Sequence, residues 1–197
     1  MIKIALVGDI CSGKTYISKL FREPYFNADN EVAHIYKHDR RCFKKLNTKF
    51  PKFFKNFPVN KKDVIKFLLN DDKNIKRLGK IIYPIVRAKL KKFIAKNKKK
   101  KMIILDIPLY LENKMHKKND IIVFVETKER DMIKYLKRRP NFNYKLIKKF
   151  KKIQLSLLEK KMKSDHILKN NYKSEKIKND VKVLKKKLLN ERNSIRY

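Results

Sequence analysis

The chain has 197 residues, 42% of them hydrophobic, which suits a globular protein with one sizeable core. Its formal net charge is +36, from 55 Lys and Arg against 19 Asp and Glu. No apolar run is long enough to span a bilayer, and Cys11 and Cys42 have neither metal-site nor disulfide-framework spacing, so membrane-spanning and disulfide-stapled classes are set aside.

The first apolar cluster, residues 2–7, reads as a buried strand, and residues 16–21 as the start of a helix. No basic flank and cleavable apolar stretch precede the strand, so no secretory signal is expected and the cytoplasm is the natural setting. Between strand and helix lies Gly8-Asp9-Ile10-Cys11-Ser12-Gly13-Lys14-Thr15, which fits G-x-x-x-x-G-K-[ST]. A strand, a tight loop and a helix start aim backbone N–H groups and the positive end of the helix dipole at one point. The phosphates of a nucleoside triphosphate are expected there, with Lys14 reaching the terminal phosphates and Thr15 ligating Mg²⁺. The loop is poor in glycine: Asp9 and Cys11 stand where related loops often carry Gly, and Asp9 brings a negative charge toward the phosphates.

A short strand is expected at Tyr25–Asn27, followed by helix over residues 31–37. Asp29, just past that strand, faces the ligand side of a parallel sheet. It can take a proton from a substrate hydroxyl, support Mg²⁺ through water, or cap the helix. His34 and His38 share a helix face without a third ligand and read as exposed side chains. Residues 61–69, 75–82 and 85–95 carry helical spacing, the last two interrupted at Pro84. The region 40–101 is too long for a simple crossover and reads as an acceptor-substrate region.

Residues 102–107 form a largely continuous apolar cluster, in which 102–106 reads as a strand ending in an acid, Asp106, the Walker-B arrangement for supporting Mg²⁺. The loop holding Pro108, Leu109 and Glu112 suits an acceptor pocket. Strands follow at 121–126 and 166–168; helices are expected at 127–139 with Thr127 as N-cap, at 144–162 as one long element, and at 174–189. Strands alternating with helices make a three-layer α/β domain. Arg138 and Arg139 end a helix beside Pro140, where guanidinium groups can neutralise a transferring phosphoryl group or stabilise the helix end. Lysines spread over nearly every segment, with scarce glycine, look like A- and T-rich codon bias more than a designed nucleic-acid patch, so nucleic acid is not expected as a partner.

These residues, taken together, resemble dephospho-CoA kinase over nearly the whole chain. The resemblance rests on the phosphate loop, on Asn27-Ala28-Asp29 with Glu31-Val32-Ala33-His34, on Ile82-Tyr83-Pro84, on Pro108-Leu109-Tyr110-Leu111-Glu112, and on Ser164-Asp165-His166-Ile167-Leu168-Lys169-Asn170. It implies a P-loop kinase fold: a five-stranded parallel sheet, a helical acceptor subdomain and a lid, in a single domain with core 1–39 and 102–197, helical region 40–101 and lid about 138–152. It implies ATP with Mg²⁺ and transfer of the γ-phosphoryl to the ribose 3′-hydroxyl of dephospho-CoA. Separately, a monomer or weak oligomer is expected. Asp29 matches the proposed catalytic acid, Arg139 a lid arginine, and Thr15 and Asp106 the metal side. Tyr83, Pro108, Leu109 and Glu112 fall in the acceptor region, and Lys169 and Asn170 fall near the adenine. Another nucleoside or nucleotide kinase, or a basic nucleic-acid-binding protein on this scaffold, are the competing readings. The chain departs from the family pattern at Tyr83, where His is usual, at Asn27, where an acid is usual, and at Tyr135, where Arg is usual.

Overall fold

The computed structural model describes residues 1–137 and 143–194, with side chains as far as 191. Arg138 and Arg139, the first residues of the expected lid, therefore lie outside the described residues. Contacts group the chain into a sheet unit (1–27, 96–142 and 153–197) and a helical unit (28–95 and 143–152).

The sheet unit is built on five parallel strands: β1 (Ile2–Gly8), β2 (Tyr25–Asn27), β3 (Met102–Asp106), β4 (Asp120–Glu126) and β5 (His166–Lys169). Their order is β2-β3-β1-β4-β5, with Ile4 paired to Ile104 on one side and to Ile121 on the other. All five expected strands are present. Central β1 and β3 are covered on both faces, which is why they read as unbroken apolar runs. One side of the core joins Ile4, Leu6, Ile104, Val123 and Val125 to Ile17 and Phe21, the latter pair on and just beyond α1 (Lys14–Leu20). Ile177, Val181, Leu184 and Leu188 complete it, an i, i+4, i+7 stripe from a last, long helix. Each such side chain contributes about 1.5–3 kcal/mol when fully buried.

The helical unit contains α2 (Ala28–His38), α3 (Arg40–Lys49), α4 (Lys61–Asn70) and α5 (Asn74–Lys96). Asp39 and Asn60 cap α3 and α4 by accepting from Cys42 N and Lys62 N. Phe50, Phe53 and Phe54 surround Phe67 with ring centroids 4.4, 5.2 and 5.3 Å away. Pro84 does not interrupt α5, contrary to expectation. Pro84 and Lys80 are both exposed, so the Lys80 carbonyl that loses its helical donor faces water.

The expected long helix 144–162 is two: α7 (Tyr144–Lys152), which groups with the helical unit, and α8 (Leu157–Met162) in the sheet unit, with α6 (Glu129–Lys137) before them. Ser156 and Glu159 form a capping box that starts α8 afresh. Within the helical unit Lys149 donates to the carbonyls of Leu68 and Leu69, each at 3.0 Å, and pairs with Asp72, closing the C-terminal end of α4. The final helix, α9, spans Ser174–Ser194. Among the described residues no helix is long and apolar enough to cross a membrane.

Candidate active site

The phosphate loop leaves β1 at Gly8 and enters α1 at Lys14, as the sequence suggests. Both glycines are required. Gly8 has φ 148°, and a Cβ there would lie 2.7 Å from the Val125 carbonyl oxygen. Gly13 has φ 90°, and a Cβ would lie 2.3 Å from the Asn170 amide nitrogen. Cys11, standing where Gly is common, also adopts a left-handed backbone, at φ 63°. As the N-cap, Gly13 has no side chain to occupy the first-turn N–H groups of α1. Asp9 turns its carboxylate onto its own loop, accepting from Ile10 N at 2.7 Å. Lys14 Nζ donates to the Asp9 carbonyl at 2.6 Å and lies 3.4 Å from Ser12 Oγ, so its ammonium stays over the loop backbone.

On the β3 flank, Thr15 Oγ1 donates to Asp106 Oδ2 at 2.6 Å. The Asn27 amide donates to the same oxygen at 2.6 Å and lies 3.5 Å from Thr15 Oγ1. Sheet register puts Asn27 directly beside Asp106, and Asp106 is only 3% exposed. A hydroxyl and a carboxylate side by side fit Mg²⁺, which is held by one or two carboxylates plus substrate phosphates, not by a full protein cage. Among the described residues no cluster of three His, Cys, Asp or Glu side chains forms an alternative centre.

The β4–β5 flank supports the loop from the other side. Asn170 Nδ2 donates to the Ser12 carbonyl at 2.9 Å, and Thr127 Oγ1 donates to the same oxygen at 3.2 Å. Thr127 thus serves the loop, and α6 begins only at Glu129. Tyr172 OH donates to the Cys11 carbonyl. Its ring stacks on Tyr135 of α6, with centroids 3.8 Å apart and planes 14° apart. Lys169 is exposed at the end of β5, whereas Asn170 is buried under the loop.

The loop following β3 places Pro108 at the surface and gives Leu109 φ 57°. Glu112 points inward: its Oε1 accepts from Leu155 N at 3.1 Å and pairs with Lys160 Nζ at 3.0 Å, the two side chains being 10% and 4% exposed. Beside it, Tyr110 OH donates to Asp120 Oδ2 at 2.7 Å, and Lys3 pairs with the other Asp120 oxygen. Burial pushes the Asp120 carboxyl up, but the bonds from Lys3, Tyr110 and Lys117 N outweigh it and hold the group below the usual range. The Tyr110 phenol is pushed up by burial and by donating to Asp120.

Two expected site residues belong to the helical unit. Asp29 is exposed in the first turn of α2, which starts one residue earlier, straight from β2. Tyr83 is half-buried on α5 and packs its ring against Gly79, where a Cβ would come within 2.7 Å. Tyr36, nearby in the same unit, has its phenol pushed up, chiefly by burial. Burial likewise pushes the Cys42 thiol up to about 11, so it stays protonated at neutral pH.

The structure therefore gathers Gly8, Asp9, Cys11, Ser12, Gly13, Lys14, Thr15, Asp106 and Asn170 into one bonded network. Sequence reasoning missed Thr127 and Tyr172 as loop supports. The signal for Tyr172 was the Asn170-Asn171 turn, in which Asn170 Oδ1 accepts from Tyr172 N.

Comparison with known proteins gives a consistent result. A protein from Bartonella henselae named dephospho-CoA kinase is 34% identical over 94% of this chain and 97% of its own. One from Wolbachia pipientis with the same name is 32% identical over 91% and 94%. The solved structure of TT1252 from Thermus thermophilus shares the fold with TM-score 0.77 at 19% identity, over 95% of this chain and 97% of that one. The dephospho-CoA kinase from Campylobacter jejuni shares it with TM-score 0.63 at 19% identity, over 93% and 96%. A family model described as dephospho-CoA kinase matches residues 2–176, and with these relatives it shows that the chain belongs to the dephospho-CoA kinase family.

Proposed function

We propose that the protein transfers the γ-phosphoryl group of ATP to the ribose 3′-hydroxyl of dephospho-CoA, giving coenzyme A. The observation that carries this reading is the bonded junction of Thr15, Asp106 and Asn27 at the end of a glycine-dependent phosphate loop. Lys14 is assigned the terminal phosphates. Thr15 and Asp106 would hold Mg²⁺, which supplies charge neutralisation across the β- and γ-phosphates when bound. Asp29 is assigned the acceptor hydroxyl. It stands two residues after Asn27, so covalent geometry keeps its Cα within about 7 Å of that of Asn27. Its solvent exposure suits a group that must meet an incoming substrate. Arg139, or Arg138 beside it, is assigned the charge that spreads onto the transferring group. Tyr83, Pro108 and Leu109 are assigned acceptor binding. Glu112, held by Lys160, is assigned the shaping of that loop. The enzyme is taken to work in the cytoplasm as a monomer or weak oligomer.

The test is ADP release with Mg·ATP, comparing dephospho-CoA with adenosine, AMP and pantetheine phosphates. Turnover with dephospho-CoA alone is the expected result; equal turnover with AMP or adenosine would transfer the protein to the nucleotide kinases. Lys14→Ala should lower kcat/KM by about 10²-fold or more with an unchanged melting temperature. Asp29→Asn should lower kcat by about 10²–10⁴-fold with little change in KM for ATP. A loss confined to the ATP KM would remove Asp29 from the chemistry.

A further inference from the structure

The loop after β3 holds a strained backbone. Leu109 has φ 57° and Lys114 φ 49°, left-handed conformations that bulky side chains keep only where their surroundings hold them. Pro108 and Leu109 stand at the outer end of this loop, and Tyr110 and Leu111 behind them are buried. Glu112 then fastens the loop to residues 154–160, the stretch by which the chain re-enters the sheet unit after α7. Its Oε1 takes both the Leu155 N–H and the Lys160 ammonium. Lys160 Nζ also donates to Gln154 Oε1 at 3.0 Å, its N–H goes to the Ser156 carbonyl, and its own carbonyl accepts from Ser164 Oγ at 2.6 Å. One carboxylate oxygen and one ammonium thus join the loop, the turn at 154–156 and α8 in a single buried node. Desolvation of two such charges offsets much of their attraction, and an apolar pair of similar bulk often holds a core as well or better. What an apolar pair cannot supply is a directed acceptor for Leu155 N, which fixes where the returning chain lies against the loop.

We propose that Glu112 and Lys160 are positioning residues for the transfer reaction, holding Leu109 in its left-handed form and setting the register at which the chain from α7 enters α8. This rests on the kinase reading above and deepens it. Neither residue meets substrate: Glu112 acts through Leu109 and Leu155, and Lys160 acts through Glu112 and Gln154. Lys160 keeps the Glu112 carboxylate turned inward. Leu155 stands three residues after Lys152, the last residue of the expected lid and of α7. The residues assigned to the acceptor are thus tied to the end of the lid segment, and a shift at either end reaches the other through one hydrogen bond.

Two double variants of the full chain separate position from stability. E112Q/K160M removes both charges but keeps an oxygen for Leu155 N; E112L/K160M removes the oxygen as well. Both should melt close to the parent, because neither leaves a buried charge unpaired. E112Q/K160M should retain kcat/KM for dephospho-CoA within about 3-fold, and E112L/K160M should lose about 10-fold or more, with the KM for ATP within about 2-fold of the parent's in both. Amide hydrogen exchange should quicken at 108–115 and 153–156 in E112L/K160M alone. A fully active E112L/K160M would reduce the pair to a fold element. An equal rise in the ATP KM would mean general loosening, and equal loss in both doubles would move the effect from the Leu155 bond to the charges. Each of these results overturns the proposal. If E112L/K160M does not fold, exchange in the parent decides: dephospho-CoA should slow 108–115 and 153–156 together, and protection of one stretch without the other overturns the coupling. A parent that turns over dephospho-CoA while E112L/K160M matches it fails this proposal alone; a parent with no turnover on dephospho-CoA overturns the kinase reading and this proposal with it.

Discussion

Asn27 and Thr15 donate to the same Asp106 oxygen, and both bonds are 2.6 Å long. An aspartate at position 27, usual in the family, would face Asp106 carboxylate to carboxylate, and one of the pair would need a proton or a cation. Asn27→Asp is therefore expected to destabilise the ligand-free protein by about 1–2 kcal/mol and to make its melting temperature rise more steeply with Mg²⁺ than the parent's. Scanning fluorimetry across a Mg²⁺ series checks this; an unchanged response would mean that the amide is not substituting for a cation. At this scale much of the site was legible. The Gly8-to-Thr15 spacing carries its own geometry, and Asp106 announced itself at the end of an apolar run. The Glu112–Lys160 pair and the Tyr135–Tyr172 stack were not legible, because a single chain gives no register between side chains so far apart in sequence.

Strand β4 is tied down at its first residue. Asp120 accepts from Lys3 on β1, from Tyr110 in the loop after β3 and from Lys117 N, linking the centre of the sheet to the loop assigned to the acceptor. Its carboxyl lies below the unfolded value, so its stabilisation is present above about pH 4 and is lost as pH falls through the depressed folded value. Asp120→Asn should cost about 2–3 kcal/mol at pH 7 and flatten the acid limb of the stability curve. Thermal melts at pH 7, 4 and 3 check both; parallel curves for parent and variant would show that Asp120 contributes nothing to the acid transition. The strands were easy to read because burial on both faces leaves continuous apolar runs. The helix boundaries were harder. Pro84 lies inside α5 because its missing bond falls on the wet side, a fact about burial that local propensity does not carry. The break between α7 and α8 did have a local signal, Ser156 three residues before Glu159, but the lysine-rich helical pattern on either side masked it.

Over the whole molecule the net charge of +36 sets a tension between stability and capture. Like charges repel in the folded state, while the same field draws in triphosphates and other anionic substrates. Raising ionic strength from about 0.02 to 0.3 M, which shortens the Debye length several-fold, should therefore raise the melting temperature while lowering kcat/KM through a higher KM for ATP. Calorimetry and steady-state rates over one salt series check the pair. A melting temperature that falls with salt would mean that the ion pairs, such as Lys161–Glu126 and Lys185–Glu23, outweigh the repulsion.

The supports beneath the phosphate loop come from the far end of the chain, Asn170 acting across 158 residues and Tyr172 across 161. During synthesis the ribosome releases the loop early and its supports late. A nascent chain thus carries the binding motif before it has the shape that makes it bind, and nucleotide can reward folding only once β5 has joined the sheet.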